Sequence, residues 1–152
     1  MTGSWRHLPS PARPVAVAAS AAVDAVQGNL AVAFDAAVAE LAGLEQAHAG
    51  LILGTTVRLL LEDGHPDGLA ADDVREALAS CVRAHPEADP QVVLWLLAGA
   101  LGVLDEDGAP GPKPDALARN AMLLITDLLA GRDLRDWLTA ALTEIQRTQL
   151  ND

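Results

Sequence analysis

Apolar residues recur along this chain at spacings of three and four, the period of helices and not of strands. Val23, Val26, Leu30, Phe34, Val38 and Leu41 fall on one helical face, and their phase runs unbroken through Gly28-Asn29. The pattern predicts one long helix from about Val15 to Leu41, bent where a mid-helix Gly costs about 1 kcal/mol against Ala. Two shorter helices are the alternative reading. A second helix is expected from Leu44 to Glu62, nearly buried because Leu51, Ile52, Leu53, Val57, Leu59, Leu60 and Leu61 leave little polar surface, and closed by Gly64 and Pro66. Gly50 and Gly54 stand four apart on it and offer a small-residue face to a neighbour. A third spans Ala70 to Ala84, with Val74, Leu78, Cys81 and Val82 inward and Asp72 and Asp73 in a first turn that suits the helix dipole.

The fourth helix opens at Asp89-Pro90, an acceptor side chain followed by Pro at the first helical position. From Gln91 to Leu104 it carries no charge, and a helix apolar all round is expected to be buried. Its wheel has two faces. Leu94, Leu97, Leu101 and Leu104 form an ordinary packing face; Trp95, Ala98, Gly99 and Gly102 form a shallow groove beside an indole. That small face reads first as a close crossing with Gly50 and Gly54, and second as the wall of a ligand pocket. A fifth helix follows from Asp115 to Ala130 with Gly131 at its end. The sixth, Asp133 to Gln149, has Leu134, Trp137, Leu138, Ala141 and Ile145 on one face and charges on the other, so it belongs on the outside.

The fold class expected is all-α: a single-domain globular bundle of about six helices, with the helices near 44–62 and 90–104 central. Residues 1–14 hold Pro9, Pro11 and Pro14 and read as a flexible Pro-rich arm; the helical domain covers 15–150. A short HEAT-like helical-hairpin repeat is the alternative. An offset of 44 pairs Glu62-Asp63-Gly64 with Glu106-Asp107-Gly108 and Arg75 with Arg119, but such arrays need about three repeats or more.

Composition narrows the function classes. Aromatic residues are 3% of 152, so the core must be Leu, Val and Ala. The net charge of -11 excludes a basic face for nucleic acid, whose phosphates are bound through Lys and Arg. No uncharged run approaches the roughly 20 residues of a membrane span, and the Ala-rich run Val15 to Val23 makes a poor signal peptide. A cytoplasmic protein is expected. Cys81 is the only cysteine, and on a buried stripe it reads as packing.

Candidate chemistry is sparse. Asp63-Gly-His-Pro-Asp67-Gly68 matches a calcium loop at positions 1, 5 and 6, but His65 and Val74 stand where carboxylates are needed. Glu45 and His48 have the Glu-x-x-His spacing of di-metal bundles without a second helical pair. No catalytic set, cofactor or metal site is assigned. Glu62, Asp63, Asp67, Asp105, Glu106 and Asp107 are the partner-binding candidates. Glu62, Asp63 and the 105–107 triplet sit at helix C-termini, where a negative charge is unfavourable by about 0.3–1 kcal/mol. Such a cluster would suit a basic protein partner or a cation. The expected function is a non-catalytic helical protein-interaction or regulatory protein, which the helix carrying Trp137 would also serve as a homodimer surface. The alternative is a binding protein or sensor for an apolar small molecule in the groove of Trp95, Ala98, Gly99 and Gly102. An enzyme without a recognisable motif is third.

Overall fold

A computed structural model describes residues 12–102 and 111–150, with the side chains of 149 and 150 excepted. Seven helices pack together: α1 Ala12–Gln27, α2 Ala31–Ala42, α3 Gln46–Gly64, α4 Ala71–Ala84, α5 Pro90–Ala100, α6 Pro114–Leu129 and α7 Leu134–Leu150. The described residues contain no strand. The all-α expectation holds, and the described part of the Pro-rich segment, from Ala12, already belongs to α1.

The long first helix is two helices. Gly28 does not take the left-handed position at the break; Asn29 does, at φ 56°. Its N–H reaches the Val26 carbonyl at 3.2 Å, while Leu30 N–H reaches Ala25 at 2.9 Å. This is a Schellman closure, which satisfies carbonyls that the helix end leaves open. α2 then folds back along α1. The apolar phase survives the break because both helices turn their buried stripes, Val15, Ala19, Ala22 and Val23 on one and Phe34, Val38 and Leu41 on the other, to the same core.

The enclosed helix is α6, and here the expected centre moves. The consecutive residues Met122, Leu123, Leu124 and Ile125 are at most 2% exposed, so all sides of α6 are covered there. It packs on α1, α2, α3, α4 and α5. Contacts from α6 to α1 and α2 are foreign to a hairpin array, in which each repeat touches only its neighbours. α3 shares the interior through Ile52, Leu53, Val57, Leu60 and Leu61, as expected. α5 buries only Val92, Val93 and Leu97 and leaves Leu94 48% exposed; residues 103 and 104 lie outside the described part. Its lack of charge therefore does not place it at the centre.

Polar groups on α6 have partners inside the fold. Arg119 reaches Asp35 at 2.9 Å and its guanidinium lies 5.3 Å from the Phe34 ring centre. Ser80 donates to Asp127 at 2.8 Å. Asn120, buried, accepts from Asp89 N–H and donates to the Ala116 carbonyl, both at 2.8 Å. Past the C-terminus, Arg132 donates to the Leu128 and Leu129 carbonyls, binds Asp63 at 2.8 Å and stacks 5.0 Å from Trp137. A cation at a helix C-terminus also suits the dipole. α7 lies on α3 and α1, with Leu134, Leu138 and Ala141 inward and Trp137 half-buried.

Candidate functional site

Gly50 and Gly54 do not meet another helix. A Cβ built at either position finds nothing within 4 Å. The expected close crossing with the small face of α5 is thus absent, and the space is open. Leu53 and Val57 of α3 and Trp95 and Leu96 of α5 line the space between the two helices.

The opening is a trough of two clefts with a shared part of their lining. One, of about 270 Å³, lies between α3, α5 and α6 and is walled by Leu53, Val57, Trp95, Leu96, Leu117 and Ala121. The other, of about 430 Å³, lies between α3, α5 and α7 and is walled by Leu51, Thr55, Arg58, Glu144, Ile145 and Thr148. Gly50, Gly54, Gly99 and Ala100 line both. The glycines form the saddle where the two linings overlap, so a side chain on Gly50 or Gly54 would project into the trough. Of the four groove residues expected from the sequence, Trp95 and Gly99 line the trough. Ala98 and Gly102 line neither cleft. Gly102 instead takes φ 73° just beyond the end of α5.

Trp95 is held from behind. A Cβ at Gly111 would come within 2.9 Å of the indole, so only a glycine allows the chain to pass so close. The position of α5 itself is set at its start, where the Asp89 side chain accepts Gln91 N–H at 3.0 Å and Asn120 takes Asp89 N–H.

The two halves differ in chemistry. The Trp95 half is apolar except for Gln46, whose amide already donates to the carbonyls of Leu41, Ala42 and Leu44. In the other half, Arg58 lies 3.3 Å from Glu62 and 3.9 Å from Glu144, and Glu144 lies 3.6 Å from Arg147. The sequence sets Arg58 four residues before Glu62 on one helix, within reach of it, and the two pair. It did not anticipate Glu144, 86 positions further along the chain, or the α6 wall; distance in sequence hides both. The available signal was the glycine pair in mid-helix.

Two of the acidic candidates are paired with arginines. Glu62 is held by Arg58 and Asp63 by Arg132. Asp67 is exposed in the turn after α3. Asp105, Glu106 and Asp107 lie outside the described residues. His65 accounts for part of the calcium-like turn: its Nδ1 lies 3.0 Å from the Leu61 carbonyl and its Nε2 3.5 Å from Asp73. Among the described residues, no three of His, Cys, Asp and Glu are grouped to hold a metal ion. The Glu-x-x-His pair has a structural use, since Glu45 caps α3 by accepting His48 N–H at 2.7 Å.

Cys81 is fully buried. Burial pushes its thiol from 9.0 up to about 12, helped by the nearby negative charges of Asp127 and Glu87. A thiol kept protonated is no nucleophile at neutral pH. No helix among the described residues is long and apolar enough to cross a membrane.

Comparison with models of known protein families, with curated proteins and with solved structures finds no match.

Proposed function

We propose that the protein is a non-catalytic binding protein for an apolar small molecule seated in the trough beside Trp95. One observation carries this reading. Two glycines occupy the interior of α3, at about 1 kcal/mol each against Ala, yet open onto empty space. Among the described residues no close helix uses them, and neither takes a positive φ. An occupant of the trough would. Apolar walls with a few polar groups at one end are the usual make-up of a small-molecule site.

The test follows the indole. With Trp5 and Trp137 replaced by Phe, Trp95 is the sole tryptophan. A panel of apolar metabolites and lipids is expected to shift its emission and raise the melting temperature. A panel that moves neither removes the proposal.

A second reading, a helical protein-interaction or regulatory protein, has exposed apolar side chains in its favour. Val17 is 56% and Val32 84% exposed, on the adjacent helices α1 and α2. With a net charge of -11, a basic partner would bind in a salt-sensitive way. Binding that is unchanged between low and high salt counts against the acidic-end version. The face of Trp137 covered by Arg132 is the one a homodimer through α7 would have to uncover or share.

A further inference from the structure

Arg58 and Glu144 line the polar cleft, and each has a second ionic neighbour outside its lining. Arg58 stands between Glu62 and Glu144, and Glu144 stands between Arg58 and Arg147. The contact of Arg58 Nη2 with Glu144 Oε1, at 3.9 Å, is too long for a hydrogen bond. Both side chains are about one-third exposed, at 31% and 33%, and both line the polar cleft. The gap presents a donor on one side and an acceptor on the other.

This pair discriminates between head groups. A carboxylate would gain Arg58 but would be pressed against Glu144 and Glu62. An ammonium would gain Glu144 but would face Arg58. Either ion would also lose hydration beside an apolar cleft, a cost that a neutral group largely escapes. An uncharged head with both an acceptor and a donor meets both groups at once, each through a hydrogen bond to an ion, which is the stronger kind. A carboxamide has that pattern: its oxygen accepts from Arg58 and its N–H donates to Glu144. Among the described residues no other charged side chain lines either cleft, and Gln46 is already engaged.

We propose that the ligand is an uncharged amphiphile whose apolar body crosses the Gly50–Gly54 saddle to Trp95 and whose amide-type head sits between Arg58 and Glu144. This rests on the reading of the trough as a ligand seat.

The experiment titrates the full chain by calorimetry with decanamide, decanoate and decylamine, which share one tail. Decanamide is expected to bind tighter than either ion by about tenfold, the size of one charge-assisted hydrogen bond. In Glu144→Gln, decanoate should gain affinity while decanamide keeps most of its own, because the Gln carbonyl still accepts. Equal binding of all three overturns the head-group assignment and leaves the trough as an unselective apolar seat. Tightest binding by an ion overturns it too. Absence of binding by all three removes the seat itself and this inference with it.

Discussion

The side-chain oxygen of Asn120 accepts the backbone N–H of Asp89 at 2.8 Å. One buried amide in the enclosed helix α6 thereby sets the first residue of α5, the helix that carries Trp95. Asn120→Ala leaves Asp89 N–H without its acceptor and opens a small void. The expected loss is about 2 kcal/mol of folding free energy, read from urea unfolding. A change in Trp95 emission in the folded variant would show that α5 has shifted with it.

Stability and binding are expected to oppose each other at the saddle. Gly50→Ala and Gly54→Ala should each stabilise the free protein by up to about 1 kcal/mol, because helix propensity improves and no atom lies within 4 Å of either added methyl. The same methyls raise a ridge between the clefts and should weaken any ligand that crosses it. Variants that gain melting temperature and bind unchanged would show that the glycines have no part in a seat.

Cys81 supplies a pH signature. Its folded thiol ionises near 12 and an unfolded one near 9.0. The raised value means that the native state holds the proton where the unfolded state has lost it. Its contribution to stability is therefore complete below about pH 9 and is lost as pH rises towards 12. Cys81→Ala should show a shallower loss of stability over that window than the parent chain. At pH 8, iodoacetamide should label the native protein only as fast as it opens.

Ala130 closes α6 at φ 51°, in the left-handed region, with Gly131 following at 85°. The Cβ of an Ala is strained there by roughly 1 kcal/mol. The sequence suggested Gly131 for the C′ position, where it stands, but the left-handed conformation already begins at Ala130. Ala130→Gly should raise the unfolding free energy by about 0.5–1 kcal/mol, measured by the denaturation midpoint, and should leave ligand binding untouched.

Helix existence was legible because the apolar spacing is a local property. Asp89-Pro90 and Gly64-Pro66 marked ends that the fold confirms to within a residue or two. The break at 28–30 was misjudged because a Schellman turn can preserve apolar phase between two helices that pack on one core. The centre was misjudged for a different reason. α6 carries Arg119, Asn120, Thr126 and Asp127, polar residues that give no sign of enclosure, yet each of them bonds to a group within the fold. α5 carries no charge at all but has walls only on part of its circumference.

Alone, the sequence determined the all-α class, most helix boundaries and the Trp95-Gly99 lining, all of which follow from residues within a few positions of one another. Only the tertiary structure decided that α6 is enclosed, that Asp63 is neutralised by Arg132, and that Gly50 and Gly54 face a trough. These depend on how far apart packed side chains hold the helices, and on which distant partners packing brings within hydrogen-bond reach. Periodicity carries no record of either.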